Sequence, residues 1–112
     1  MPRFLCPSDA LIEGGRGLRF VVAIDGNPFP AFAIRYGSAV YAYLNQCAHQ
    51  SVEMDWNEGY FFDRAQHFLV CALHGAHYYP KTGRCAGGPC AGKGLIPLRV
   101  EEIDGEIRLL AE

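Results

Sequence analysis

Two short segments of the sequence combine cysteine and histidine at close spacing. Cys47 and His49 are separated by one residue, and Cys71 and His74 by two. Two thiolates and two imidazoles can hold either a zinc ion or an iron–sulfur cluster in which two histidines replace two cysteines. Structural zinc sites usually pair cysteine with cysteine and histidine with histidine, with about two to five residues between them. Here each segment supplies one of each, which favours a two-iron cluster with both cysteines on one iron and both histidines on the other.

This arrangement resembles the Rieske 2Fe–2S family, whose pattern is C-x-H, a spacer and C-x-x-H. The resemblance continues after the second segment, where His74-Gly75-Ala76-His77-Tyr78 is followed by Thr82-Gly83. Gly88-Pro89 stands where the family has a proline loop that covers its cluster. The spacer is slightly longer than in the familiar members, and we interpret residues 55–63 as a loop insertion.

The resemblance implies one 2Fe–2S cluster in this chain. Cys47 and Cys71 would bind the inner iron as thiolates. His49 and His74 would each bind the outer iron through one ring nitrogen. A structural zinc-binding module that serves protein interaction is the alternative outside electron transfer.

The cysteines outside this pattern carry a separate prediction. Membrane-bound respiratory members of the family have an extra cysteine in each ligand segment, and these two form a disulfide across the cluster. The matching positions here are Val52 and Leu73, so that bridge cannot form. Cys85 and Cys90 could form a redox-active pair. We nevertheless expect them, like Cys6, to be ordinary thiols, because disulfides are rare in the reducing compartment that the chain predicts.

The composition indicates one small folded domain. The chain has 112 residues, of which 50% are hydrophobic and 20% charged, so we expect a single domain over residues 1–112. A formal net charge of −2 gives no support for nucleic-acid binding. The longest apolar run, residues 20–24, is far shorter than the roughly 20 residues of a membrane helix. With no apolar stretch of signal-peptide length at the N-terminus, we expect a cytoplasmic protein without membrane partners.

Short strands between turns must position the two ligand segments. Apolar runs separated by glycine-containing turns are typical of an all-β sandwich or barrel, and Asp25-Gly26-Asn27 and Asp104-Gly105 are hairpin signals. We therefore expect an antiparallel Rieske-type β frame with a loop-rich cluster-binding subdomain at about residues 45–92. Helical turns are expected only near residues 8–13 and 51–56. The predicted strands cover residues 18–24, 29–36, 40–44, 68–70, 77–79, 98–103 and 106–110.

The resemblance implies a one-electron carrier of the soluble Rieske-type ferredoxin group. Such a carrier takes an electron from a flavin-dependent reductase and gives it to a terminal oxygenase, and is not itself an enzyme. An oxygenase catalytic subunit would need a second, mononuclear iron site, typically two histidines and a carboxylate, and only His67 and His77 are left unassigned. The alternative within electron transfer is the small Rieske subunit of a nitrite reductase, which would serve the large subunit of that enzyme.

Overall fold

The fold is built from short antiparallel strands. The computed structural model describes residues 3–46, 54–55, 59–71, 75–88, 90 and 92–110. Within these ranges the strands are β1 (Arg3–Pro7), β2 (Leu18–Ile24), β3 (Asn27–Tyr36), β4 (Ala39–Leu44), β5 (Leu69–Val70), β6 (His77–Tyr78), β7 (Cys85–Gly87), β8 (Pro97–Leu98), β9 (Val100–Ile103) and β10 (Glu106–Leu109).

These strands form three sheets, which confirms the predicted all-β class. The first sheet has the order β1-β10-β9, the second β2-β3-β4-β8 and the third β5-β6-β7. In the first sheet Arg3 pairs with Leu109, so the first strand lies beside the last. In the second sheet, β2 and β3 are joined by Asp25 and Gly26, whose φ angles of 51° and 80° are those of a two-residue hairpin loop.

Strand β3 is buried on both of its faces. Ala31 and Ala33 belong to core clusters that include Leu109 and Ile107 of the first sheet. Phe32 and Ile34, which alternate with them, pack in a cluster that includes residues of the third sheet. Because side chains alternate across a strand, β3 contributes small side chains to one core and large ones to the other. The second sheet therefore lies between the other two.

The large-residue core connects the second sheet to the chain between the ligand segments. The rings of Phe32 and Phe61 stack with their centroids 3.9 Å apart, and both side chains are fully buried. Tyr43 donates a hydrogen bond from its hydroxyl to the carbonyl oxygen of Pro80, at 2.7 Å. Residues 55–63, interpreted from the sequence as an insertion, thus contribute to the main core through Phe61.

Several predicted boundaries differ from the observed ones. The run predicted as one strand over residues 98–103 is split, because Pro97–Leu98 pairs with β4 whereas Val100–Ile103 pairs with β10. The helical turns expected near residues 8–13 are a 3-10 turn over Ser8–Ala10, and the helix expected near residues 51–56 lies largely outside the described residues. Strands β1 and β7 were not predicted, since neither has a local alternation of apolar and polar residues.

An arginine on β3 connects the first and second sheets. The Arg35 guanidinium donates to the carbonyl oxygens of Leu11 and Ser8, at 2.8 and 2.9 Å. It also donates to both carboxylate oxygens of Glu102 on β9. This bidentate hydrogen bond from Arg35 lowers the pKa of Glu102 below the ordinary 4.5 of a glutamate.

The lowered pKa gives this contact a defined pH dependence. A carboxyl group whose pKa is lower in the folded than in the unfolded protein adds stability above its unfolded pKa and loses it as the pH falls through the folded value. We expect Glu102→Gln to lower the free energy of unfolding by about 1 kcal/mol at pH 7, since the pair is partly exposed to solvent. The loss should shrink as the pH falls below 4.5. Denaturant unfolding at pH 7 and pH 3, with Glu101→Gln as control, measures it, and equal losses at both pH values would contradict the electrostatic origin.

Candidate functional site

The structure describes one of the four predicted cluster ligands. Cys71 follows β5 and is fully buried, whereas Cys47, His49 and His74 lie outside the described residues. The backbone N–H of Cys71 donates to the carbonyl oxygen of Ala76 at 2.8 Å, and its carbonyl oxygen accepts from the N–H of Gly75 at 2.9 Å. These two bonds hold Cys71 against Gly75 and Ala76. We call residues 71–76, which connect β5 to β6, the second ligand loop.

The first ligand segment is held at both ends by a buried polar network. Asn45 stands two residues before Cys47, at the end of β4, and is fully buried. Its side-chain N–H donates to Asp55 and its side-chain oxygen accepts from the N–H of Met54, both at 2.8 Å. Residues 45 and 54–55 flank the chain that carries Cys47 and His49. The network therefore fixes the two ends of that segment against each other.

The second carboxylate oxygen of Asp55 is also satisfied. It accepts from the N–H of Gly59 at 2.9 Å and lies 3.0 Å from the Nε of Arg19. Buried carboxylates are stable only when they are paired and hydrogen-bonded, and Asp55 meets both conditions. Neither Asn45 nor Asp55 was predicted from the sequence as a functional residue. The one local signal was a lone asparagine directly after a buried strand.

The chain that follows β7 and begins at Gly88, which we call the third loop, packs against the second ligand loop. The backbone of Gly88 approaches it so closely that a Cβ at this position would lie 3.0 Å from the Cα of Ala76 and from the carbonyl oxygen of Gly75. The φ angle of Gly88 is also positive, at 87°, which disfavours any other residue there. Pro89 lies outside the described residues, so the covering role expected of a proline loop stays a prediction.

A disulfide joins Cys85 of β7 to Cys90 of the third loop, so the expectation of ordinary thiols is wrong for these two cysteines. These residues are bonded to each other, with their Cα atoms 5.6 Å apart, within the range that a disulfide requires. The turn through Gly87 and Gly88 brings them together. Among the described cysteines, Cys6 and Cys71 are thiols, and burial raises the pKa of Cys6.

The two remaining histidines lie on the surface side of the third sheet. His67 is exposed, and the Nδ1 of His77 lies 2.6 Å from the carbonyl oxygen of Gly75. Within the described part of the chain, no group of three or more histidine, cysteine, aspartate or glutamate side chains could hold a metal ion. These two histidines are therefore not gathered with further ligands among the described residues.

The described features fit an iron–sulfur cluster at this end of the molecule. Cys71 supplies a fully buried thiol, and soft thiolate ligands favour iron–sulfur clusters. The glycine contact of the third loop shields the second ligand loop on one side. A model of the Rieske [2Fe-2S] domain matches residues 4–104 of the chain. The chain belongs to the Rieske family. Its cofactor is accordingly a 2Fe–2S cluster, and its chemistry is the transfer of single electrons.

Three similar solved structures share this fold over nearly the whole of the matched chains. The ferredoxin of carbazole 1,9a-dioxygenase from Nocardioides aromaticivorans IC177 has a TM-score of 0.74 and 23% identity, covering 100% of this chain and 99% of that one. A complex of reduced oxygenase and oxidised ferredoxin in carbazole 1,9a-dioxygenase gives a TM-score of 0.73 and 24% identity, covering 97% and 92%. A protein described as the small subunit of an NADPH nitrite reductase gives 0.68 and 23%, covering 99% of each chain.

At these identities the similarity shows the fold. No curated protein sequence matches the chain. Within the residues that the structure describes, no helix has the length and hydropathy of a transmembrane span.

The polar network around Asn45 can be tested by its removal. We expect Asn45→Ala to leave the Asp55 carboxylate and the Met54 N–H without their buried partner, at a cost of about 1–3 kcal/mol in the free energy of unfolding. It should also lower the iron and sulfide content per chain, because the ends of the first ligand segment are no longer fixed. Asn27→Ala, at an exposed hairpin position, is the matched control. Full iron content in Asn45→Ala would contradict a role in holding the ligand segment.

Proposed function

We propose that this Rieske protein is a cytoplasmic ferredoxin, which accepts one electron from a flavin-dependent reductase and gives it to a terminal oxygenase. The observation that carries the proposal is the similarity, over nearly the whole of both chains, to the ferredoxin of carbazole 1,9a-dioxygenase. A second similar structure is a complex of oxygenase and ferredoxin. The protein would then be one component of an oxygenase system, and the bond chemistry would take place in its partner.

Four residues are proposed to hold the cluster. Cys47 and Cys71 would bind the inner iron as thiolates, and His49 and His74 the outer iron. With two neutral histidines in place of two thiolates, such a cluster supplies a reversible one-electron couple at roughly −150 to +300 mV. We assign these ligands to one domain over residues 1–112, within a cluster-binding subdomain at about residues 45–92.

The surrounding residues have distinct tasks in this proposal. Asn45 and Asp55 hold the first ligand segment in place, and the backbone bonds of Cys71 hold the second. The negative charge of Asp55 would oppose the addition of an electron nearby, and its ion pair with Arg19 offsets that charge. The large-residue core behind Cys71 keeps water away from the cysteine side.

The four histidines of the chain provide an internal comparison for the ligand assignment. We expect His49→Ala and His74→Ala each to lose iron and sulfide, because a cluster iron loses one of its ligands. His67→Ala, at an exposed position, should keep both. Dithionite-reduced wild-type protein should give a rhombic electron paramagnetic resonance signal with an average g below the free-electron value, at one spin per chain. Unchanged spectra in both His49 and His74 variants would contradict the assignment.

A nitrite reductase small subunit is the second candidate, favoured by the structural similarity to a protein with that description. The two roles differ in the electron acceptor. The reduced holoprotein should be reoxidised, with one electron per chain, when mixed anaerobically with the terminal oxygenase encoded nearest to its gene. Reoxidation only by the large subunit of a nitrite reductase would replace the first role by the second. Reoxidation by neither would overturn both.

A further inference from the structure

The Cys85–Cys90 disulfide lies beside the second ligand loop, and the proposed electron transfer does not require it. The two cysteines are five residues apart, so their bond closes a short loop and removes less chain entropy than a bond across a long one. Disulfides in the cytoplasm, where we expect this chain, are usually catalytic or redox-sensing. The pair is therefore suited to chemistry more than to stabilisation of the fold.

The two cysteines differ in their exposure to solvent. Cys90 is fully buried, in the same core cluster as Cys71. Cys85 is partly exposed and lines an open depression of about 450 Å³. Thiol–disulfide exchange begins when a thiolate reaches one of the two sulfurs. Cys85 is therefore the cysteine of the pair that faces an incoming thiolate.

The depression beside Cys85 is positively charged. Arg84 and Lys93 line it together with Gly92 and Gly94, and among the described residues no carboxylate contributes to the lining. The attacking group is an anion, and many biological thiols carry further carboxylates, so the two cations raise its local concentration. The lining therefore favours a negatively charged thiol as the reductant.

The buried surroundings also suit the reduced pair. The Sγ of Cys90 lies 3.3 Å from the carbonyl oxygen of Gly87 and 3.5 Å from that of His77. The Sγ of Cys85 lies 3.7 Å from the Gly87 oxygen. A disulfide sulfur has no proton to donate, whereas a thiol donates weakly to such oxygens. Hydrogen-bond acceptors are thus in place for both thiols once the bond is reduced.

We propose that Cys85 and Cys90 form a second redox site, a two-electron thiol–disulfide couple that is reduced by negatively charged thiols. A thiolate of the reductant attacks Cys85, forms a mixed disulfide and releases Cys90 as a thiolate, which takes up a proton. A second thiolate attacks the reductant's sulfur in the mixed disulfide and releases Cys85, which is protonated in turn. Two thiols are oxidised to one disulfide, and the protein disulfide gains two electrons and two protons.

The state of this couple acts on the second ligand loop through Gly88. This glycine lies between the two cysteines, and its backbone packs against Gly75 and Ala76. Opening the disulfide removes the covalent bond that restrains the third loop, so the contact of Gly88 with Gly75 and Ala76 loosens. The reduced couple should therefore release iron from the holoprotein faster than the oxidised couple does.

The redox state can be read from the mass of the intact holoprotein chain after unfolding in an alkylating reagent. The chain has five cysteines, so the oxidised protein should take up three labels and the reduced protein five. Three reductants are compared. Glutathione is a small thiol that carries carboxylates, reduced thioredoxin is a protein dithiol, and 2-mercaptoethanol is a small thiol without a carboxylate. Glutathione or thioredoxin should react faster than 2-mercaptoethanol at equal thiolate concentration. If 2-mercaptoethanol reacts fastest, the preference for negatively charged thiols is overturned.

Substitutions test the role of the two cations and the role of the two cysteines separately. Arg84→Gln combined with Lys93→Gln should slow reduction by glutathione roughly threefold or more at low salt, and slow reduction by 2-mercaptoethanol less, because its thiolate carries no further negative charge. Equal slowing with both thiols would overturn the preference for a reductant with further negative charge, and no slowing with either would overturn the role of the two cations. Cys85→Ser should abolish the two-label difference. The control Cys6→Ala, in the other core, should keep that difference while losing one label in each state.

Two results would overturn the redox site itself. One is five labels even after treatment with oxidised glutathione, because then no disulfide forms. The other is a disulfide that reacts with thiols only in the unfolded protein.

Iron release to a chelator should be about tenfold faster from the reduced protein, as expected for loss of a structure that supports metal ligands. Equal release rates would overturn the coupling through Gly88. None of these measurements uses a reductase or an oxygenase, so their failure is distinct from failure of the proposed function.

Discussion

The burial of β3 on both faces is the constraint on which the rest of the molecule depends. Ala31 and Ala33 face the sheet that joins the first and last strands, while Phe32 and Ile34 face the third sheet. A shift of one residue in the pairing of β3 would exchange the small and the large side chains between these two cores. The register of one strand therefore sets the spacing of all three sheets, and with it the place where the second ligand loop begins.

Specific polar and aromatic contacts hold loop residues against this frame. Residues 54–55 and 59–71 contain little regular structure, yet Phe61 is stacked on Phe32 and Asp55 is bonded to Asn45, directly after β4. Each contact joins a loop position to β3 or to the end of β4 in the second sheet. Ligand segments that are held at their ends suit an electron carrier, because little rearrangement of these end residues then accompanies the change in charge.

The features that the sequence predicts well are those with local causes. The β2–β3 hairpin follows from Asp25-Gly26 between two apolar runs, and the family follows from the spacing of cysteine and histidine in two short segments. Strand β1 depends on a partner about a hundred residues away and has no local signal of its own. The Asn45–Asp55 network depends on how two segments meet in space, which no residue pattern in either segment specifies. The Cys85–Cys90 bond is local, and it was missed because the predicted reducing compartment favoured ordinary thiols over the pair.

The pairing of β1 with β10 has a consequence for the connectivity of the chain. Arg3 and Leu109 are neighbours across a ladder of the first sheet, on the opposite side of the second sheet from the third. Strands paired in this way lie about 5 Å apart, so a short peptide could join them and new termini could be opened at the exposed Asp25–Gly26 turn. Such a circularly permuted chain would keep every sheet. The order in which the strands follow one another is therefore separable from the architecture that holds the ligand segments.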